Sequence, residues 1–254
     1  MHEHSSITYI GHATLLLEVD GVHILTDPLL RNHITGFIRR QTSLPTLPAS
    51  AIDLVLISHL HFDHFDLPSL RSLGHNTHIA VPKGTATYLR RNGFRHISEM
   101  SIGDTIKVEN VEIEATPANH TGRRAPFRPA VDCLGYLIRG KSIVYFAGDT
   151  DIFPEMHQYA PNLDVALMPV WGWGPTLGRG HMDPERAAEA LTMLRPRLAM
   201  PIHWGTFFPF GMHYSHGHLL SQPPQLFAKH AQRLAPEVKV EIVAPGETLR
   251  GRQA

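Results

Sequence analysis

Residues 59–64 read His-Leu-His-Phe-Asp-His, which packs three imidazoles and one carboxylate into six positions. They directly follow Asp53-Leu-Val-Leu-Ile-Ser58, whose unbroken apolar stretch predicts a strand buried on both faces. A buried strand that runs into four ionisable side chains is unfavourable unless something pairs with them. A divalent cation meets that need, because imidazole nitrogen and carboxylate oxygen suit zinc and its neighbours. The spacing also lets alternate side chains turn toward two different ions. The plain alternative is a histidine-rich surface loop. Isolated His and Asp residues further along the chain, in the contexts a second half-site needs, weigh against it.

The chain of 254 residues is 43% hydrophobic and 18% charged, ample for a well-buried core and compatible with one domain over 1–254. Lys+Arg and Asp+Glu balance at 23 each, so the electrostatics do not invite nucleic acid and no acidic tail predicts disorder. Apolar runs are strand-sized, which predicts no transmembrane helix. The opening Met-His-Glu-His-Ser-Ser lacks a charged segment followed by an apolar stretch, so the expectation is a cytoplasmic protein. Cys133 is the sole cysteine; it excludes an intrachain disulfide, disfavours a thiolate metal cage and reads as buried filler at a strand start. Nineteen histidines are the compositional outlier, and they point the same way as the hexapeptide.

Strand-like runs open the chain at 7–10, 14–19 and 22–26, with Asp20-Gly21 as a hairpin signal. Residues 31–50, with Gly36, Pro45 and Pro48, read as a loop or lid. Further strands are expected at 53–58, 77–81, 105–108, 111–115, 134–139, 142–146, 164–169, 198–202 and 238–243. Helices are expected at 67–73, 82–92, 183–194 and 224–234. Asp183-Pro184 supplies an N-cap and a first-turn proline. Strands lead and helices interleave, so the best layer plan is two sheets with helices outside.

His120, Asp149 and His203 each follow one of these strands, in Ala-Asn-His-Thr-Gly, Gly-Asp-Thr and Pro-Ile-His-Trp-Gly. Singly, such residues are usually turn or satisfied polar groups. With the hexapeptide they make seven candidate ligands, the number that gives four per ion when one aspartate bridges, as a two-metal hydrolytic site requires.

These residues resemble the metallo-β-lactamase superfamily. The His-x-His-x-Asp-His signature at His59, His61, Asp63 and His64 carries the likeness, with His120, Asp149 and His203 in the family's order. The likeness runs from Gly11-His12-Ala13-Thr14 and Thr26-Asp27-Pro28 to His203-Trp204-Gly205. It implies a four-layer αββα sandwich, two mixed β-sheets flanked by helices, with metals at one edge. It also implies His59, His61 and His120 on one ion, Asp63, His64 and His203 on the other, and Asp149 between them. Gly148-Asp149-Thr150, His181-Met-Asp-Pro-Glu185 and His203-Trp-Gly-Thr-Phe207 are similar to the branch of L-ascorbate-6-phosphate lactonase and N-acylphosphatidylethanolamine phospholipase D. No counterpart of the long N-terminal extension of that phospholipase is expected, which weakens a membrane-lipid assignment.

Around this set, Asp27 suits a carboxylate that accepts the free N–H of a ligand imidazole, while an Asp-Pro turn is the compatible plain reading. His12 suits either such a supporting role or a buried structural one. By resemblance, His181 contacts a substrate oxygen. Trp171 and Trp173 in the glycine-rich run 171–180 either clamp a flat apolar group or cover the core. Arg123, Arg124 and Arg128 suit phosphate or carboxylate recognition, with solvated surface arginines as the alternative. His213, His216 and His218 form a second histidine cluster without a carboxylate, expected as a loop at the mouth of the site.

The expected protein is a hydrolase with two divalent ions, zinc first, manganese or iron(II) also suited. A hydroxide between the ions, formed because bound zinc lowers the pKa of water from ~15.7 to roughly 7, would attack a phosphodiester or lactone. Asp63 is expected to take a proton as well as bind metal. The rivals are a non-hydrolytic di-iron redox or metal-binding protein and, among enzymes, a nuclease. The expected partner is a small-molecule substrate.

Overall fold

The protein is described by a computed structural model, over residues 5–34, 36–47, 52–122 and 131–251. In chain order its elements are β1 (Ser6–Gly11), β2 (Thr14–Val19), β3 (Val22–Thr26), β4 (Ile38–Arg40), β5 (Leu54–Leu56), α1 (Leu67–Leu73), β6 (Ile79–Pro82), α2 (Ala86–Arg91) and β7 (Ile97–Met100). The second half holds β8 (Thr105–Val108), β9 (Val111–Pro117), β10 (Leu134–Arg139), β11 (Ile143–Phe146), β12 (Val165–Pro169), α3 (Pro184–Leu194), β13 (Leu198–Ile202), β14 (Phe207–Pro209), α4 (His213–His216), α5 (Gln222–Leu234), β15 (Lys239–Val240) and β16 (Thr248–Arg250).

The strands form two seven-stranded mixed sheets, ordered β16-β1-β2-β3-β5-β6-β7 and β15-β13-β12-β11-β10-β9-β8, and a small β14-β4 ribbon. Alternation along the first sheet explains its two faces. Leu15, Leu17, Leu54, Leu56 and Ala80 join the core shared with Ile113, Tyr136, Phe146 and Leu167 of the second sheet. Their neighbours Val55, Ile79 and Val81 instead meet Leu70, Leu73 and Leu89 of α1 and α2. The second sheet is covered on its other side by α3 and α5, which bring Ala187, Leu191, Leu194 and Phe227 into the main core. Central β12 is buried at all five positions, as a parallel strand covered on both faces must be.

Strand direction places the site. β1 and β3 are both antiparallel to β2, and β5 is parallel to β3, so all three end at the same edge. In the second sheet β9 and β11 are both antiparallel to β10, and β12 and β13 follow β11 in parallel. The carboxyl ends of β9, β11, β12 and β13 therefore share one edge, the place where open α/β sheets bind ligands. The two sheets are tied together there by Tyr136 Oη donating to Ile57 O at 2.7 Å and Leu134 N donating to Ser58 O at 2.9 Å.

Several expected boundaries differ for local reasons. Strand pairing at 53–58 stops at Leu56, because the Ser58 N–H goes to the Asp27 carboxylate instead. The helix expected over 82–92 begins at Ala86; Pro82 pairs in β6, and Glu99 Oε1 takes the N–H groups of Gly84 and Ala86. The region 31–50, expected as a loop, contains β4, which pairs with β14. Only Lys239 and Val240 of the expected final strand pair with β13, and β16 adds to the edge at β1. His213, His216 and His218 lie on α4 and the 3-10 turn after it rather than on a loop. Helices α1 and α3 end where expected; Asp66 and Asp183 cap them by accepting the N–H groups of Ser69 and Arg186, both at 2.9 Å. Among the described residues, no helix is long and apolar enough to cross a membrane.

Candidate metal centre

The seven expected ligands converge on the edge where the two sheets' strands end. Three ligand atoms from His59, His61 and His120 lie within 4.8 Å of one another, and so do four from His12, Asp63, His64 and His203. Asp149 lies between the groups. Its Oδ2 is 3.1 Å from His64 Nε2 and 3.9 Å from His59 Nε2, and its Oδ1 is 3.2 Å from His203 Nε2.

Four rings are anchored through Nδ1. His64 Nδ1 donates to Asp27 Oδ2 at 2.7 Å, His120 Nδ1 to Gly180 O at 2.8 Å, and His203 Nδ1 to Trp171 O at 2.7 Å. His59 Nδ1 lies 2.9 Å from Ser58 Oγ, and that hydroxyl donates its own proton to Asp27 Oδ2 at 2.5 Å. Each anchored ring therefore aims an Nε2 lone pair inward. His64 Nε2 and His203 Nε2 then stand 3.1 Å apart, and His120 Nε2 stands 3.2 Å from His61 Nδ1. Lone pairs facing each other at that range repel unless a cation sits with them. His59 Nε2 and both oxygens of Asp149 are buried and accept no hydrogen bond. Buried polar atoms are rarely left so, and this donor set fits divalent ions.

Electrostatics agree. Burial, together with the neighbouring His64, keeps His59 neutral, its pKa held well below the ordinary value, which is the state a ligand imidazole must have. Burial works against charging His64, yet Asp149, Asp63 and Asp27 raise its pKa well above the ordinary value, so a proton on its Nε2 holds the place among these carboxylates that a bound ion would take. Burial also opposes ionisation of Asp149, but His203 and His64 hold its pKa far below the usual carboxylate range. The pocket concentrates negative charge and draws positive charge in.

The backbone here is held in conformations that side chains seldom adopt. His12, Asp27 and His203 have φ of 60°, 34° and 64°; such positions cost on the order of 1–3 kcal/mol each and persist where surroundings enforce them. Before Asp149, Gly148 has φ +61°, and a Cβ there would stand 2.9 Å from Leu134 O and from Ser58 Cβ. Only glycine lets the Asp149 turn pass between the two sheets.

The supporting residues divide clearly. Asp27 reaches rings of both groups, His64 directly and His59 through Ser58. Ser58 had no signal in the sequence beyond its place after a buried strand. His12 combines both of its readings: it is buried, and its Nε2 donates to Asp63 Oδ2 at 3.0 Å. Burial and His203 push its pKa down to about 3, so it is a neutral donor. His181 Nε2 lies 3.2 Å from Asp149 Oδ2, and its Nδ1 donates to Gly178 O at 3.2 Å. Trp171 packs on the core, whereas Trp173 lines a cavity of about 560 Å³ beside His61, Asp63, His181 and His203. Cys133 is buried, which pushes its thiol up to about 12 and leaves it unreactive. His213, His216 and His218 join none of the ligand clusters among the described residues. Arg123, Arg124 and Arg128 lie outside the described residues.

Known proteins share this fold. The family described as Beta-lactamase superfamily domain matches residues 23–204. A UPF0173 metal-dependent hydrolase of Methanopyrus kandleri is 32% identical over 251 residues, spanning 95% of this chain and 98% of the relative. A solved metallo hydrolase from Ignicoccus hospitalis superposes with a TM-score of 0.76 at 28% identity, covering 98% of this chain and 99% of that one. A di-iron β-hydroxylase from Streptomyces venezuelae shares the fold, with a TM-score of 0.71 at 23% identity over 98% of this chain and 55% of its own.

Proposed function

The chain belongs to the metallo-β-lactamase superfamily of hydrolases, and we propose that it works with two divalent ions, zinc first, to cleave a lactone or a phosphodiester in a small molecule. His59, His61 and His120 would hold one ion, Asp63, His64 and His203 the other, and Asp149 both. The observation that carries this reading is Asp149, whose two buried oxygens face imidazole nitrogens of both groups and accept no hydrogen bond.

When bound, the ions supply Lewis acidity and lower the pKa of a coordinated water from ~15.7 to roughly 7. The chain's own residues supply position and proton traffic. The Nδ1 anchors lock each ring's tautomer and keep its Nε2 aimed inward. His12 occupies Asp63 Oδ2, which leaves the other oxygen of this cavity-lining carboxylate to accept a proton from an attacking water. His181 lines the cavity, and against burial its pKa is raised by Asp149 and the Gly178 carbonyl, so its protonated ring would donate from Nε2 to a substrate oxygen as it gains negative charge.

Stripping purified protein with a chelator should abolish hydrolysis across a panel of lactones and phosphodiesters, and zinc should restore it to a colourless solution. Hydrolysis that survives complete metal removal would overturn the proposal. A visible iron band in protein that hydrolyses nothing would favour the redox rival instead.

The Asp27–Ser58–His59 relay carries its own expected result. Ser58→Ala removes the acceptor of His59 Nδ1 but leaves the bond from His64 to Asp27. Affinity at the His59, His61 and His120 site should fall about 10–100-fold, with the other ion held as before. Competition against a chromophoric chelator resolves the two ions; two unchanged affinities would mean that the relay does not position His59.

A further inference from the structure

We infer that the cavity beside the candidate metal centre is a specificity pocket for an uncharged, apolar arm of the substrate, an aliphatic or aromatic substituent carried by the scissile group. The hydrolase reading above supplies which bond is cut; the cavity walls supply what hangs from it. The cavity, about 560 Å³, is of the size that takes a small organic ligand. Its floor is the polar edge formed by His61, Asp63, His181 and His203, and its walls are Ile34, Ile38, Phe62, Trp173 and Leu177. No lysine or arginine lines it among the described residues.

An anionic arm laid along these walls, away from the polar floor, would shed water with no lysine or arginine of the described residues to replace it, whereas each methylene buried against the walls is favourable. Phe62 and Trp173 are 53% and 36% exposed, a large apolar surface turned to solvent next to polar groups. The loop is built to present it. Trp171 Nε1 donates to Gly174 O at 3.1 Å, which ties the first indole to the loop backbone while the second lines the cavity. Gly172 lines the same cavity, and a Cβ there would make ordinary contact with both sides of it, 3.5 Å from Leu177 Cδ2 and 4.0 Å from His203 Cε1. A branched side chain there would add bulk between Leu177 of the wall and His203 of the floor.

The test uses the protein as purified with its metals and has two arms. In the first, kcat/KM is measured for γ-lactones whose side arm grows from methyl to hexyl, and for one whose arm ends in a carboxylate. The expected gain is roughly three- to fourfold per methylene, with the carboxylate arm falling below the methyl compound. Trp173→Ala should flatten the slope, and Gly172→Val should end the gain at a shorter arm. In the second arm, primary alkanols from butanol to octanol are titrated while tryptophan fluorescence is followed. Affinity should rise by the same factor per methylene, and the signal should vanish in Trp173→Phe. A flat slope, or a preference for the anionic arm, overturns the inference and leaves the hydrolase reading intact. If no lactone is turned over, the alkanol series decides alone: length-independent binding, or none, overturns the pocket, and graded binding sustains it.

Discussion

Replacing Asp149 by alanine is expected to release at least one ion and to lower kcat/KM by more than about 100-fold, a larger loss than Asp27→Ala produces. Both carboxylates are fully buried in the same edge, so burial does not separate them. Their partners do. Asp27 is satisfied by protein donors, the Ser58 N–H and hydroxyl and His64 Nδ1–H, and it acts by orienting rings. Losing such an orienting partner costs ~10–100-fold in metal affinity or activity. Asp149 has no backbone or hydroxyl donor; its oxygens meet only imidazole nitrogens, those of both ligand groups and of His181, so its removal strips charge from both groups. The check is a steady-state comparison of the two variants with metal content measured on the same preparations. Equal losses, or a larger loss for Asp27→Ala, would remove Asp149 from its bridging place.

His181→Ala should keep both ions and still lose on the order of a hundredfold or more in turnover, the ~3 kcal/mol that one lost donor to a developing negative charge typically costs. His181 is not needed to give either ion four protein ligands, and it lines the cavity with its side chain 21% exposed. Its nearness to Asp149 Oδ2 makes the metal content decisive. A variant that loses an ion makes His181 a ligand, and the division of ligands must then be redrawn. One that keeps both ions and full rate on its preferred substrate makes it structural only.

The two-sheet plan was legible because its strands are carried by local patterns. Leu15, Leu17 and Val19 alternate toward the core, β12 is apolar throughout, and Asp183-Pro184 announces α3 by its cap. The convergence of His59, His61, Asp63 and His64 was legible for the same reason, four donors in one short segment. What was not legible depends on partners far along the chain. The ribbon of β4 and β14 joins residues about 170 positions apart with three residues in each strand, too few for a periodic signal. β16 returns from the end of the chain to pair with β1. Ser58 is an ordinary residue by sequence, and only the fold places its hydroxyl between Asp27 and His59. Trp171 and Trp173 share one glycine-rich run, yet one packs on the core and the other lines the cavity, a split set by the turn between them.

The account rests on two ions held by one edge of the sheets. Elemental analysis of protein grown with supplemented metal and purified without chelator tests this most directly. Two ions per chain are expected, the count of a two-metal site, falling toward one in the single variant His203→Ala, which removes a ligand of the second ion alone. A reproducible value of zero or one in the unaltered protein would contradict it.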